Sequence, residues 1–301
     1  MVKTAWVFPG QGSQSVGMGA DVMALPTVQE RLAIADDILG WSVSDVCQSE
    51  DNKVSETRYT QPCLYVLESL LVDLLRSQGQ EPDLVAGHSL GEYGALYAAG
   101  AFDFGVGLRL VKLRAELMAQ TSEGVMAALM GFDRPALEAQ IAETAGVVLA
   151  NDNNPGQVVI SGTPEGVDTV LAVVKSKRAV KLNVSGAFHS PLMAPAANEF
   201  QSVLAAIEFQ PTRVPVLSNV DPAPATDPAA LKQRLSQQMT GSVRWREISL
   251  TLAEQGIEQV IEVGPGNVLT GLIKRTVKTL SLANVGRSEE RRVGKECRSR
   301  W

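Results

Sequence analysis

Residues 83–100 read DLVAGHSLGEYGALYAAG, and the reading of this stretch decides the fold. Its first half, LVAG (84–87), is a short uninterrupted apolar run, the pattern of a strand buried on both faces. Behind Ser89 come Gly91, Gly94, Ala95, Ala98 and Ala99, small residues that let a helix lie close against a sheet, and Gly100 can end that helix. Between the two stands Gly87-His88-Ser89-Leu90-Gly91, a G-x-S-x-G string in the strand-to-helix context which that motif requires. Glycine at both flanks removes side chains that would collide in a turn tight enough to lift a serine hydroxyl clear of the sheet. The helix beyond aims its first N–H groups at any anion forming beside that hydroxyl. The competing reading, that Ser89 is merely a small residue at a junction, turns on whether the chain supplies a base.

A serine hydroxyl needs one, and histidine is the usual choice. The chain holds only two, His88 and His189. His88 adjoins Ser89 on the incoming strand, where its side chain is expected to point away as a buried spacer. His189 lies in NVSGAFHSPLM (183–193), a loop expected to overhang the carboxyl edge of the sheet, where the serine must also be. A loop histidine is ordinarily a surface residue; beside a nucleophile turn, with no other candidate, it is the expected base.

Further out, KTAWVFPG (3–10) is an apolar run closed by Pro-Gly and predicts a strand entering a turn. Apolar residues at 63, 66, 67, 70, 71, 74 and 75 trace one face of a helix, with Thr60 as the expected N-cap, Pro62 near the first turn and Gly79 past the end. Asp103 is expected to cap another helix running to about Gln120. From Gly124 to Phe188 the pattern becomes strand, helix, strand, strand, helix, strand, the order of a ferredoxin-like split βαβ repeat, with AVKLNV (179–184) as its last strand. Beyond Pro191 helices and strands alternate again. The expected architecture is α/β: a hydrolase-like parallel-sheet domain formed by residues 1–123 and 189–286, interrupted by a ferredoxin-like βαββαβ subdomain at 124–188.

Composition excludes several classes. The chain has 301 residues, 45% hydrophobic and 20% charged, which fits a globular protein with one sizeable core and a smaller subdomain. It lacks the roughly 20 uninterrupted apolar residues of a membrane span, and the N-terminus lacks the apolar segment and cleavage site of a signal peptide, so a cytoplasmic location is expected. Cys47, Cys63 and Cys297 have no metal-ligand spacing and are odd in number, against a zinc site or a disulfide framework; Cys63 reads as core. GQGSQSVGMG (10–19) is not a dinucleotide loop, because Ser15 stands where the third glycine belongs. The net charge of −6 becomes −9 without the last fifteen residues, RSEERRVGKECRSRW. This basic string reads as a solvated tail or a nucleic-acid-binding arm. It also resembles the in-frame translation of a sequencing-library adapter, so residues 287–301 are expected to be non-native and the natural terminus to lie past Gly286.

Six ordered motifs, FPGQGSQ (8–14), GHSLGEY (87–93), LRAELM (113–118), NPGQVVISG (154–162), SGAFHSPLM (185–193) and EVGPGNVLTGL (262–272), resemble the malonyl-CoA:acyl-carrier-protein transacylases of dissociated bacterial fatty-acid synthesis. The resemblance runs from about residue 3 to 286. It implies that Ser89 attacks the thioester, that His189 is its base, and that a malonyl-serine ester passes to the phosphopantetheine thiol of an acyl carrier protein without metal or other cofactor. It implies an oxyanion hole from the backbone N–H groups of Gln11 and Leu90, and Arg114 as the fork for the malonyl carboxylate. Met118 is expected beside Arg114, and Phe188 as the bulky residue that excludes an α-methyl branch. An acceptor at Gln238, often a backbone carbonyl, is expected to orient His189, although Gly241-Ser242 stand where the family commonly has a proline.

Malonyl-CoA and an acidic acyl carrier protein are the implied partners of what is expected to be a monomer, with no nucleic acid and no membrane. Lys175, Lys177, Arg178 and Lys181, in a stretch without acids, are the candidate docking surface, or else lysines solvating an edge strand. Three rival readings stay open: a serine hydrolase or thioesterase, a non-catalytic module, and the discrete acyltransferase of a polyketide pathway.

Overall fold

The computed structural model describes residues 2–121 and 123–287; the expectation for the basic tail therefore lies, Arg287 apart, outside the described residues. Five parallel strands form the main sheet: β1 (Thr4–Phe8), β2 (Leu84–Gly87), β7 (Val216–Leu217), β8 (Gln259–Val263) and β9 (Ser281–Val285), in the order β7-β2-β1-β8-β9. The chain builds outward from β1 on one side and then returns to the other, so the order reverses between β1 and β8. At such a reversal the loops leaving the carboxyl ends diverge and open a crevice. Central β1 is buried from Ala5 to Phe8, which is why TAWVF is apolar without alternation. Phe8 pairs with Gly87, so the loops after β1 and β2 leave the sheet at one level.

Helices cover both faces. Asp103, Asp133, Thr163 and Asp227 each accept a backbone N–H as N-caps of the helices they precede, and Gly100, at φ 86°, ends the helix Gly91–Ala99. The long helix Thr57–Ser77 starts three residues earlier than the expected cap, with Glu56 at the N-cap position and Pro62 inside it. Thr60 instead turns its hydroxyl back onto the carbonyls of Val54 and Glu56. Helices at Ala20–Met23, Gln29–Leu39 and Val43–Gln48 fill the region between β1 and that helix. No helix among the described residues is long and apolar enough to cross a membrane.

The remaining strands, β3 (Val125–Phe132), β4 (Val147–Asn154), β5 (Gln157–Gly162) and β6 (Ser176–Lys181), form an antiparallel sheet in the order β4-β5-β3-β6. Side chains alternate between its faces. Ala127, Leu129, Val158 and Ile160 pack under the helices Arg134–Glu143 and Pro164–Val173, while Met126, Ala128 and Val159 join the core shared with the main sheet. The last strand lies earlier than AVKLNV: Leu182 still bonds Met126, but residues 182–184 leave the ladder and turn toward the crevice.

β4 is tied to the segment that enters the helix Trp245–Glu254 by backbone bonds, Val243 N–H to Ala150 and Asp152 N–H to Val243, at 2.8 and 2.9 Å. Beside them the buried Asp152 carboxylate takes Arg134 of the small sheet's helix and Arg246 of the main one, each at 2.8 Å. Replacing Asp152 by Asn leaves two arginines competing for a neutral acceptor. Because both arginines are partly exposed, the expected cost is about 2 kcal/mol, less than for a fully buried pair. Urea unfolding measures it, and an unchanged midpoint would show that the junction stands on its backbone bonds alone.

Candidate active site

β2 ends at Gly87, and the chain turns through His88 and Ser89 into the helix that begins at Gly91. Ser89 has φ 52°, a left-handed conformation that costs a non-glycine residue about 1–2 kcal/mol and is held here by its surroundings. The turn closes because its flanks lack side chains: a Cβ at Gly87 would stand 1.9 Å from the Gly91 carbonyl carbon, and one at Gly91 2.0 Å from the Phe8 carbonyl oxygen. Asn219, just past β7, clamps it. Its Oδ1 accepts the Ser89 N–H at 2.7 Å and its Nδ2 donates to the Gly87 carbonyl at 2.6 Å.

His189 also has positive φ, at 56°. Its Nε2 lies 2.8 Å from Ser89 Oγ, and its Nδ1 faces two carbonyl oxygens, Gln238 at 3.0 Å and Gly241 at 3.1 Å. Carbonyls only accept, so Nδ1 carries the proton and Nε2 presents its lone pair to the serine hydroxyl. Gly241, in the pair that stands where the family commonly has a proline, supplies the second acceptor through its backbone carbonyl.

Arg114 occupies the apolar stripe of the helix Phe104–Gln120, in line with Leu110, Val111, Leu117 and Met118, and is buried. Its Nη1 donates to Gln61 Oε1 at 2.7 Å; its Nη2 donates to Gln238 Oε1 and to Ser89 Oγ, each at 3.1 Å. The guanidinium also lies over the Tyr93 ring, 5.6 Å from its centroid. Ser89, His189 and Arg114 therefore meet at one wall of a cavity of about 200 Å³, at the carboxyl ends of β1, β2 and β8. Gln11, Met118 and Phe188 line it as well. The backbone N–H groups of Gln11 and Leu90 donate to no acceptor among the described residues. The Gln11 side chain donates to Thr57 Oγ1 at 3.0 Å, pinning its loop to the long helix.

Some functional neighbours escaped the sequence reading. His88 keeps the structural place expected of it, bonding Asn153 Oδ1 at 2.8 Å and meeting Trp245 edge-on, but the residue also borders the cavity. Gln61 is a buried amide on the helix Thr57–Ser77, which also buries Thr60, Glu68 and Ser69, so its place beside Arg114 had no distinct mark in the sequence. Met126 reaches the cavity from β3, and Glu92 lies buried against Gln238 and Asn219. Among the described residues no group of three His, Cys, Asp or Glu side chains could hold a metal.

Residues 5–296 match the acyl transferase domain model. The chain belongs to the acyl transferase family. This acyl transferase is 56% identical, over 96% of its length and 99% of the relative's, to the malonyl CoA-acyl carrier protein transacylase of Synechocystis sp. PCC 6803, whose crystal structure superposes with a TM-score of 0.94. It is 43% identical to the polyketide biosynthesis malonyl CoA-acyl carrier protein transacylase PksC of Bacillus subtilis, over 91% of this chain and 96% of that one. A malonyl-transacylase solved in complex with a type II polyketide acyl-carrier protein matches at 40% identity and a TM-score of 0.90, over 96% of this chain and 97% of that one.

The site's electrostatics follow from burial around a fixed positive charge. Desolvation, then the nearby Arg114 guanidinium, push the His189 imidazole down to about 3, against the pull of the two carbonyls. In the acyl transferase at rest the imidazole is neutral, with its Nε2 lone pair turned to Ser89. The unfolded chain binds a proton at His189 near pH 6.5 and the folded one does not until about 3. Its contribution to stability is therefore full above 6.5 and is lost as pH falls toward 3. The acid limb of kcat/KM for acyl loading is expected below about pH 5, and Arg114→Gln should move it upward. Limbs near 6.5 in both proteins would refute this account of the imidazole.

Proposed function

We propose that this chain moves a malonyl group from malonyl-CoA to the phosphopantetheine thiol of an acyl carrier protein, through an ester on Ser89. The observation that carries the reading is the buried guanidinium of Arg114 bonded to the nucleophile itself. His189 Nε2 takes the Ser89 proton as Oγ attacks the thioester carbonyl. The oxyanion faces the free N–H groups of Gln11 and Leu90, each such donor typically contributing ~3 kcal/mol. The tetrahedral intermediate collapses, and His189 returns its proton to the departing coenzyme A thiolate. The carrier thiol then gives its proton to His189, attacks the ester, and Ser89 leaves with that proton.

Arg114 selects the acyl group. Of its five N–H groups, three are engaged, and acylation of Ser89 releases one of these. A second N–H on Nη1 and the released one on Nη2 then offer two parallel bonds to the malonyl carboxylate. Met118 and Phe188 close the apolar side of the pocket, Phe188 against an α-methyl branch. The imidazolium formed in each half-reaction is held by neutral carbonyls instead of a carboxylate, a dyad and not a charged triad. Every step is a proton transfer or an acyl shift, complete without metal or redox cofactor. The reading makes it an enzyme of fatty-acid elongation and, as a proposal, a cytoplasmic one, with which the lack of a membrane-crossing helix among the described residues agrees. Relatives named for polyketide biosynthesis keep that pathway as the second reading, since it needs the same site chemistry.

Intact mass after mixing with malonyl-CoA, then carrier protein, tests the transfer. A malonyl adduct that needs Ser89 and moves onto the carrier is expected; loss to water alone would make the chain a hydrolase. Arg114→Ala should slow malonyl loading by a few kcal/mol, since it leaves the substrate's carboxylate buried and unpaired, and raise acetyl loading relative to it. Unchanged malonyl kinetics would remove Arg114 from the reading.

Carrier docking is assigned to the basic edge of the small sheet, narrowed by register. Lys181 pairs with Ala127 on the helix-covered face and bonds Asp168 at 2.7 Å, and Lys177 shares that face. Arg178 pairs with Met130, opposite Gln157, on the face that lines the cavity. Arg178→Glu is expected to raise KM for carrier protein and spare that for malonyl-CoA, with Lys181→Glu nearly silent in both. Equal effects of the two reversals would move the docking surface elsewhere.

A further inference from the structure

Glu92 lies in the first turn after the nucleophile and is 1% exposed, yet the transfer as written gives it no step. Its Oε2 accepts from Gln238 Nε2 at 2.7 Å and from the Asn219 backbone N–H at 3.2 Å. Both donors belong to residues that grip Ser89, since Gln238 Nε2 also donates to the Ser89 carbonyl at 2.9 Å and Asn219 Oδ1 accepts the Ser89 N–H. The other end of the same amide, Gln238 Oε1, accepts from Arg114 Nη2. The amide's orientation is forced, with two acceptors on its nitrogen side and a donor on its oxygen side.

Arg114 is as buried as Glu92, and its three hydrogen-bond partners, Gln61, Ser89 and Gln238, are all neutral. A buried cation requires compensation, and a carboxylate in direct contact would supply it while occupying the substrate carboxylate's position. We propose that Glu92 is the counter-charge of Arg114, held one amide away, so that it stabilises the guanidinium in the unloaded enzyme and leaves its fork open. Glu92 is then a positioning residue for the selection of dicarboxylic acyl groups, which rests on the malonyl reading for its substrate and on geometry alone for the pairing. Burial holds the Glu92 carboxyl above its ordinary value, against the Gln238, Asn219 and Ser218 hydrogen bonds and, last, the Arg114 charge, all of which lower it. Reciprocally, burial lowers Arg114, while the Tyr93 phenol beneath it and then the Glu92 charge raise it.

A double-mutant cycle in the unloaded protein tests the pairing: Glu92→Gln, Arg114→Gln and both together. Glutamine at 92 still accepts from Gln238 and Asn219 but carries no charge. Glu92→Gln alone is expected to lower Tm by several degrees, and to cost nothing when Arg114 is already Gln. If the single variant does not fold, recovery of the fold in the double variant supports the same conclusion. Equal losses in both backgrounds, or a double variant that fails where Arg114→Gln folds, would overturn the proposal and leave Glu92 a brace for the serine turn. Loading supplies a second readout. The malonyl carboxylate should raise Tm more in Glu92→Gln than in the native protein, whereas acetyl loading shifts both alike; equal malonyl shifts would overturn the selective role. Should the native protein form no malonyl adduct, the substrate reading fails, and the cycle, run without substrate, still decides the pairing.

Discussion

The site depends on one crowded backbone crossing. Where β2 turns into its helix, the chain passes so close to itself and to the end of β1 that neither Gly87 nor Gly91 has room for a Cβ. That closeness drives Ser89 into a left-handed conformation and lifts its hydroxyl out of the sheet, where His189 and Arg114 reach it. The strain is local and its restraint is not. Asn219 comes from beyond β7, and Gln238 from the end of the helix Pro228–Gln237, so the turn is held by segments about 130 and 149 residues further along the chain.

Charge is arranged around that turn by distance. The imidazole faces neutral carbonyls behind and a guanidinium nearby, and both burial and the positive charge keep it unprotonated. The guanidinium in turn is bonded only to neutral groups, with its carboxylate neighbour behind an amide. A hydrolase-type triad would place an anion against the imidazole and stabilise its charged form. Here the positive charge that opposes imidazolium also fits an anionic acyl group, which would offset it once bound.

The legible parts of the chain were those whose cause is local. TAWVF and LVAG read as buried strands because every residue is apolar, and Asp103 and Gly100 read as helix ends because cap chemistry involves only the adjoining turn. β9 carries too little pattern to be read, and Pro62 misplaced the start of a helix whose first turn lies before it. In the site, Ser89 was marked by its glycines and His189 by scarcity, one of only two histidines. Gln61, Glu92 and Asn219 were hidden, since nothing in an isolated amide or acid tells which distant backbone it will meet.

What the sequence by itself determined was the list of elements and the chemical types available: a serine between glycines, a rare histidine, and an arginine singled out by the motif that carries it. Periodicity and turn chemistry act over a few residues, so they are written where they act. Only the tertiary structure decided that these groups converge, that Gly241 joins Gln238 behind the imidazole, and that Arg178 and not Lys181 lies on the sheet face shared with cavity-lining residues. Those outcomes rest on strand order, register and burial, which are properties of many distant segments packing at once and have no local residue to announce them.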